Sequence, residues 1–318
     1  MSSTFQVSAR QRGPSIRNSK TAPLMVLAGA FFWGTTGTAQ ALAPPGAHPV
    51  LVGAVRISIA ALALLVSALI RKGLNKRPLM ELFMDSPAFM NPWLLLASLG
   101  LAGYQPLFFS AVSLTGVAVG TVVTLGSAPI CSGILDWHLG RGKPGLVWLA
   151  ATALAIAGCS VLVFGKGDIT VSPTGILLAV GAGFSFAIYV GASKQLLAKH
   201  ASGTVILPAF IIATLMLSPG WFLFSKAWLF TPRGVAVSLH LGIVATALAY
   251  ILFTRGLQGV RAPTAVTLSM AEPVTASLLG VFFLGERLSA SALAGILIVF
   301  SGLAIVSIGS LRVRTQAS

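Results

Sequence analysis

The chain has 318 residues, of which 56% are hydrophobic and only 8% are charged, and its formal net charge is +15. Ordinary soluble domains carry about 25% charged residues, so this composition excludes a water-soluble globular fold of this size. The 21 Lys and Arg residues lie in short gaps between apolar runs rather than in one basic patch, which argues against a nucleic-acid-binding surface.

The apolar runs are long enough to cross a bilayer. A membrane-spanning helix needs about 20 apolar residues, because the hydrocarbon core is about 30 Å thick. Ten segments meet this length, so the sequence predicts an all-α integral membrane protein with ten transmembrane helices. The predicted segments are 22–42, 50–70, 93–113, 117–139, 145–164, 173–193, 204–224, 234–255, 262–284 and 290–310.

The first segment also has features of a secretory signal. It follows a basic stretch, and Ala39-Gln40-Ala41 resembles a small-residue cleavage site. Its apolar run is longer than the usual core of about 7–15 residues, and it has a counterpart later in the chain. We therefore expect this segment to be retained as the first helix.

The basic residues predict the orientation, since Lys and Arg favour cytoplasmic loops. With the N-terminus in the cytoplasm, sixteen of the 21 lie inside, four lie outside, and Arg56 lies within the second helix. The inner set is Arg10, Arg12, Arg17, Lys20, Arg71, Lys72, Lys76, Arg77, Arg141, Lys143, Lys194, Lys199, Arg255, Arg261, Arg312 and Arg314. The outer set is Lys166, Lys226, Arg233 and Arg287. We expect a multi-pass protein of the cell membrane with both termini in the cytoplasm.

The two halves of the chain share a sequence pattern. The first copy reads Thr115-Gly116-Val117, Thr121, Val123-Thr124-Leu125, Ala128-Pro129 and Leu139-Gly140. The second reads Gln258-Gly259-Val260, Thr264, Val266-Thr267-Leu268, Ala271-Glu272-Pro273 and Leu284-Gly285, at an offset of 143 to 145 positions. Gly158 likewise matches Gly302, and a weaker match places Phe31 to Gly34 against Phe184 to Ala187. Each half has five predicted helices, an odd number, so the sequence predicts two inverted repeats, an architecture common among secondary transporters.

This pattern divides the chain into four parts. They are a basic cytoplasmic tail over 1–21, a first five-helix repeat over 22–164, a second over 173–310, and a cytoplasmic tail over 311–318. The long connection 71–92 contains Pro78 to Met84. This segment forms either a short helix at the membrane surface or an ordinary loop.

Three stretches form a set of motifs. They are Phe31-Phe32-Trp33-Gly34, Arg56 near the start of the second helix, and Glu272-Pro273-Val274 followed by Leu284-Gly285-Glu286-Arg287-Leu288. Together they resemble the EamA family of the drug/metabolite transporter superfamily, over about residues 22–310. The resemblance implies a ten-helix carrier, and many such carriers export amino acids and other metabolites. The matching loop of the first repeat, residues 140–144, contains no glutamate.

Arg56 is a candidate substrate-binding residue. It lies about 10 Å along the second predicted helix, where an arginine costs about 2.5–3.5 kcal/mol on insertion. Twelve Val, Leu and Ile residues in 50–70 each return about 0.3–0.6 kcal/mol, so the helix still inserts. The charge then binds a substrate carboxylate, balances an acid, or extends to the outer interface.

Glu272 is the second charged candidate. It is predicted near the centre of the ninth helix, and an intramembrane carboxylate is by default a functional-site hypothesis. Such a group can bind and release a proton during transport. Ser269 and Thr275 lie three residues to either side and share its helix face. The alternative is a structural hydrogen bond to backbone groups freed by Pro273.

Pro129 and Pro273 occupy matching places in the two repeats. Each removes a backbone donor from its helix, and paired interruptions of this kind indicate a binding site in inverted-repeat transporters. We predict both as hinges, the alternative being kinks that only serve packing.

Four further side chains within predicted helices are candidates for a cavity lining, namely Trp33, Gln105, Tyr189 and Tyr250. Ligand sites combine apolar walls with a few polar groups, although helix packing or interface anchoring would also explain each one. The four histidines are scattered and the two cysteines isolated, so we expect no metal site and no cofactor.

These features favour a secondary transporter rather than an enzyme. We expect it to move small metabolites such as amino acids across the cytoplasmic membrane, as an exporter, by alternating access between the repeats. Proton coupling and facilitated diffusion both stay open. The alternatives are an intramembrane enzyme acting on a lipid or prenyl substrate, for which six acidic residues offer little, and a non-transporting scaffold or receptor. The expected partners are a small-molecule substrate and the lipid bilayer, and we expect no nucleic acid. The sequence does not decide whether the protein forms a homodimer.

Overall fold

The structure, a computed structural model, describes residues 21–75, 91–164, 172–284 and 290–315. These residues form helices and short connections, and no strand occurs among them. Four sequence features lie outside the described residues. They are most of the N-terminal tail, the segment Pro78 to Met84, most of the junction between the repeats, and the part of the last motif from Gly285 to Leu288.

The described part of the first half contains five helical segments. They are α1 (Ala22–Ala41), α2 (Pro49–Asn75), α3 (Pro92–Gly116), α4 (Val119–His138) and α5 (Leu146–Phe164). The segments α3 and α4 adjoin at Gly116, whose φ of 80° interrupts the helical backbone. Glycine adopts this left-handed conformation without a steric cost, so the chain can reverse at this point with almost no loop.

The second half continues with α6 (Pro173–Leu197), α7 (Ser202–Leu223), α8 (Pro232–Gly259), α9 (Ala262–Leu268), α10 (Ala271–Leu284) and α11 (Ala290–Thr315). Ser172 and Thr231 cap α6 and α8, since their hydroxyls accept from the backbone N–H of Gly175 and Gly234. Each capping residue is followed by a proline in the first helical turn, the place where a missing N–H costs nothing. The middle of α8, His240–Leu248, is π-helical.

Within the described residues, seven helical stretches are long and apolar enough to cross a membrane. They are Pro49–Ile70, Pro92–Gly116, Val119–His138, Pro173–Leu197, Ser202–Leu223, Pro232–Gly259 and Ala290–Ile308, and Leu146–Val161 is a shorter apolar helix. The second half of α1 carries Thr35, Thr36 and Thr38, which lower its hydropathy, and α9 and α10 are each too short alone. The all-helical membrane fold is confirmed, while the count of ten spans stays a prediction.

The outer surface of the bundle is strongly apolar. Large hydrophobic side chains are exposed around it, among them Leu146 (84%), Phe282 (78%) and Leu177 (73%). Water would not tolerate apolar patches of this extent, whereas lipid tails solvate them.

Helices of the two halves meet in reciprocal contacts. In the α5–α11 pair, a Cβ placed on Gly158 would lie 2.6 Å from the amide nitrogen of Val299, and one on Gly302 would lie 2.9 Å from that of Ala155. Val299 lies 144 positions after Ala155, and Gly302 lies 144 after Gly158. Each half therefore makes the same contact with the other, as in an interface related by a two-fold axis.

A second set of close contacts joins corresponding helices of the two halves, although at different residues. Gly256 of α8 packs against Ala22 and Val26 of α1, and Gly100 of α3 packs against Ser185 and Tyr189 of α6. By position in the two halves, α1 corresponds to α6 and α8 to α3. Close approach at small residues is the usual way in which membrane helices associate.

Candidate functional site

A cavity lies inside the bundle, between helices of both halves. Aromatic, hydroxyl and two oppositely charged side chains line this cavity, which is partly open to the surroundings. The lining residues are Trp33, Thr36, Arg56, Tyr104, Phe108, Thr124, Leu125, Ala128, Phe186, Tyr250, Ser269 and Glu272. Apolar walls with a few polar groups are typical of small-molecule sites.

Arg56 is held in place by the π-helical part of α8. Its Nε donates to the hydroxyl of Thr246 at 2.9 Å, and its Nη2 lies 3.5 Å from the carbonyl oxygen of Ala245. The Thr246 hydroxyl donates in turn to the carbonyl of Leu241 at 2.7 Å. Arg56 is 7% exposed and lines the cavity. The π-helical turn, a feature frequent at functional sites, thus keeps a guanidinium inside the bundle.

Glu272 lies where the chain is broken between α9 and α10. Pro273 has no N–H, so the carbonyl of Ser269, four residues earlier, loses its α-helical donor. That carbonyl instead accepts from the N–H of Glu272 at 3.0 Å. The carboxylate consequently sits in the first turn of α10, where the helix dipole favours a negative charge. It is half-buried and faces the cavity.

The two charges share the cavity without forming an ion pair with each other. Among the described residues, the ion pairs are those of Asp136 with Arg141 and Arg261. The Glu272 carboxylate therefore has no cationic partner within 4.0 Å in the described part of the chain. A cavity that presents separate positive and negative groups can bind a ligand that carries both charges.

Aromatic rings form one wall of the cavity. The ring centre of Trp33 lies 5.0 Å from that of Tyr250 and 5.7 Å from that of Phe186, both edge to face. Tyr104 lies 6.0 Å from Phe186. Such arrangements are favourable for aromatic pairs, so the rings hold one another in position around the open space.

Gly34 sets the distance between α1 and α10 next to this wall. A Cβ at Gly34 would lie 2.5 Å from the Cβ of Thr275 and 2.7 Å from the carbonyl oxygen of Glu272. Only glycine therefore allows α1 to come this close to the start of α10. In the Trp33-Gly34 pair, the first residue supplies a cavity wall and the second permits the contact.

The structure brings together four of the six predicted binding residues, since Trp33, Arg56, Tyr250 and Glu272 all line the cavity. The other two do not line it. Gln105 is 1% exposed and packs against Gly53 of α2. Tyr189 lies behind Tyr250, with 5.4 Å between the ring centres, and its hydroxyl is 3.5 Å from that of Thr254.

The predicted hinges differ in their surroundings. Pro273 is the third residue of α10, and the break between α9 and α10 falls just before it. Around Pro129 the chain stays helical, since α4 continues from Val119 to His138. A paired hinge role stays a prediction.

Sequence reasoning missed most of the aromatic and hydroxyl lining. Phe186 could have been found, because the repeat alignment places it opposite Trp33. Thr124 lies in the repeated Val-Thr-Leu motif. Tyr104 and Phe108 carry no such signal, since their exposure to the cavity depends on how α3 is rotated against its neighbours. Among the described residues, no group of three or more His, Cys, Asp or Glu side chains is placed to hold a metal ion.

The fold and the cavity define a polytopic membrane protein with an internal small-molecule site. The sequence pattern of the EamA-like transporter family matches residues 20–164 and again 173–308, and the chain belongs to this family. The resemblance read from the motifs is thereby confirmed.

Curated relatives extend this result. The chain is 44% identical over 292 residues to the uncharacterized transporter YwfM of Bacillus subtilis strain 168, covering 92% of this chain and 95% of that protein. It is 30% identical over 217 residues to the threonine/homoserine exporter RhtA of Escherichia coli K12, covering 64% of this chain and 70% of that one. These relatives are transporters, and the chain is accordingly a transporter rather than an enzyme.

A solved crystal structure has the same fold. It superposes with a TM-score of 0.76 at 20% sequence identity, over 92% of this chain and 98% of the other. At this identity the likeness concerns the fold alone.

Proposed function

We propose that the protein is a secondary carrier that exports small metabolites, such as amino acids or related amphipathic compounds, across the cytoplasmic membrane. The observation that carries this proposal is that Arg56 and Glu272 face one cavity, unpaired with each other, among aromatic walls. RhtA, which is named an exporter of threonine and homoserine, supports an amino-acid-like substrate and the outward direction.

The transport mechanism is alternating access between two inverted five-helix repeats. In this arrangement α9 and α10 together make one span, α1 makes another, and the total is ten. Three observations support it: the family pattern matches twice, the sequence repeats at an offset of 143 to 145, and the α5–α11 contacts are reciprocal. Two halves with the same fold in opposite orientation can exchange conformations, which produces inward-open and outward-open states of similar energy.

An amino acid fits the charges of the site. Its carboxylate would accept hydrogen bonds from Arg56, whose Nε is already held by Thr246. Its ammonium group would donate to Glu272, and its side chain would lie against the rings of Trp33, Phe186 and Tyr250. Charge-assisted hydrogen bonds of this type are the strongest polar contacts available to a small ligand.

Glu272 provides a route to proton coupling. A carboxylate that binds the substrate ammonium cannot bind a proton at the same time. If substrate leaves the site on one side of the membrane and a proton replaces it, the empty carrier returns with Glu272 neutral. The result is exchange of substrate for a proton, driven by the proton gradient.

The orientation follows from the charge distribution. Cytoplasmic N- and C-termini place the loops after α2, α4, α6 and α8 inside, where most Lys and Arg residues lie. The ends of α1 and α3 and the starts of α2 and α4 then face outward, and the lining residues Thr36, Arg56, Phe108 and Thr124 lie towards that side.

Flux measurements in proteoliposomes test the proposal. Purified protein is reconstituted, and counterflow of labelled threonine, homoserine, other amino acids and simple amines is followed with and without a pH gradient. We expect flux of at least one zwitterionic amino acid, accelerated when the substrate-receiving side is acidic. The matched control is Arg255→Gln, which removes a cationic side chain of α8 that does not line the cavity. Flux of amines alone, or of no small metabolite, would contradict the proposal.

A further inference from the structure

An ion cluster joins the two halves of the chain away from the cavity. Asp136 of α4 is 3% exposed, and its two carboxylate oxygens accept from different arginines. Nη1 of Arg141 donates to Oδ1 at 3.1 Å, and Nη2 of Arg261 donates to Oδ2 at 2.8 Å. The same Nη2 also lies 3.2 Å from the carbonyl oxygens of Arg141 and of Gly142.

The ion pair between Asp136 and Arg261 joins the two halves of the chain. Asp136, Arg141 and Gly142 belong to α4 and the loop that follows it, in the first segment matched by the family pattern. Arg261 is the residue immediately before α9, in the second matched segment. One guanidinium therefore ties α9, and through it the Glu272-bearing α10, to the end of α4.

The cluster lies at the opposite end of these helices from the cavity. On α4 the last lining residue is Ala128, and Asp136 follows eight residues later, which is about 12 Å along the helix. In the second half of the chain, Ser269 lines the cavity and Arg261 precedes it by eight residues. With the proposed orientation, the cluster is on the cytoplasmic side.

Two helix faces connect the cavity to the cluster. On α4, residues at intervals of four share one face, and they are Thr124, Ala128, Ser132 and Asp136. Along α9 and its two capping residues, the corresponding series is Ser269, Ala265 and Arg261. The helix α9 packs against the continuous α3–α4 segment, and Ser132 and Ala265 are 2% and 0% exposed. The Oγ of Ser132 is also buried, with no hydrogen-bond partner among the described residues.

We propose that Asp136, Arg141 and Arg261 form a latch that holds the cytoplasmic side closed and that breaks when the carrier opens to the cytoplasm. The proposal rests on alternating access as the mode of transport. In the closed state, the two arginines compensate a carboxylate that would otherwise be buried without a partner. In the open state, water solvates all three groups, so the latch can release without stranding a charge.

The latch is confined to one side of the carrier. Positions 280 and 281, which correspond to Asp136 at offsets of 144 and 145, are Gly280 and Val281. The other repeat therefore has no acid at the matching place. Loss of the latch should bias the carrier towards the inward-open state alone.

Cysteine accessibility tests the latch without any substrate. In a background with Cys131 and Cys159 replaced by alanine, Ser132→Cys reports opening of the cytoplasmic side, and Thr36→Cys reports access to the cavity. A membrane-impermeant maleimide is applied to inside-out vesicles for the first reporter and to right-side-out vesicles for the second. We expect Ser132→Cys to be protected in the parent and labelled about tenfold faster with Arg261→Gln or Asp136→Asn, a shift of one decade in a two-state equilibrium. Labelling of Thr36→Cys should fall in the same variants.

Two further variants separate a latch from a general loss of structure. Arg255→Gln removes a cationic side chain of α8 that is not part of the cluster and should leave both reporters unchanged. Asp136→Glu keeps the carboxylate that both arginines bind and should keep Ser132→Cys protected. Arg261 is 47% exposed, so Arg261→Gln is expected to fold even if Asp136→Asn does not. The latch is refuted if Ser132→Cys reacts freely in the parent, stays protected in Arg261→Gln, or responds equally to Arg255→Gln. Maleimide labelling does not require transport. The labelling result therefore tests the latch even if the flux assay detects no substrate.

Discussion

Gly158 and Gly302 make equivalent contacts on opposite helices of the α5–α11 pair. Gly158 faces the backbone of Gly295 and Val299, and Gly302 faces that of Ala151 and Ala155, each set displaced by 144 positions from the other. A contact that maps onto itself in this way is the local sign of a two-fold axis between the halves.

The first prediction concerns these two glycines. Gly158→Val and Gly302→Val should each lower stability by about 1–3 kcal/mol through overpacking, and by similar amounts, because their surroundings are equivalent. Thermal unfolding in detergent measures the effect. Gly203→Val is the control, since a Cβ at Gly203 meets nothing within 4 Å. Markedly unequal losses for the two glycines would argue against the two-fold relation.

The second prediction concerns how Arg56 is held. Removal of the guanidinium in Arg56→Gln should weaken zwitterion binding by about 1.5–3 kcal/mol, the usual worth of a hydrogen bond to a charged group. Thr246→Val removes only the hydroxyl that positions Nε, so it should weaken binding less while leaving expression intact. Competition of unlabelled amino acids in the flux assay measures both. Equal affinity in Arg56→Gln and in the parent would exclude the carboxylate role.

The third prediction concerns pH. Protonation of Glu272 removes the negative charge that binds an ammonium group, so substrate affinity in the parent should fall as the pH on the binding side is lowered. In Glu272→Gln this dependence should disappear, and exchange driven by a pH gradient should be lost. Substrate affinity measured across pH in both proteins decides the matter, with Ser301→Ala on the exposed face of α11 as the control. An unchanged pH profile in Glu272→Gln would exclude this carboxylate as the coupling group.

The fourth prediction concerns Gly34. A side chain in Gly34→Val would collide with Thr275 and with the carbonyl of Glu272, forcing α1 away from α10 and displacing Trp33 from the cavity wall. We expect flux to fall at least about tenfold while the protein still inserts, since the strain of about 1–3 kcal/mol acts at the site. Gly37→Val, where a Cβ meets nothing within 4 Å, should transport normally. Equal flux in the two variants would show that the close approach is unimportant.

Sequence reasoning located the helices closely because the bilayer leaves few choices. Backbone polar groups must pair within each segment in lipid, so a sufficiently long apolar run is a helix. The predicted segments 22–42 and 145–164 correspond to Ala22–Ala41 and Leu146–Phe164. The break of the ninth segment before Pro273 follows from the missing N–H of proline, although its position at Ser269 and Met270 came from the structure.

Sequence reasoning identified the cavity-lining residues less completely than it located the helices. Arg56 and Glu272 were found because charge within an apolar run is costly and rare. Gln105 and Tyr189 look equally plausible in the sequence but pack behind the cavity. Asp136 belongs to none of the motifs that the sequence offers. Its partner is Arg261, 125 positions away, and no local pattern reveals a pairing at that separation.

The sequence by itself determined the membrane class, the helical segments, the internal repeat and the two intramembrane charges, because each of these depends on local hydropathy or on self-similarity. The tertiary structure decided which side chains face the cavity, that the π-helical turn of α8 holds Arg56, and that Asp136 joins the two halves. These features depend on how helices far apart in the chain are rotated and packed. Apolar side chains favour lipid and helix interfaces alike, so hydropathy does not distinguish the two faces of a helix.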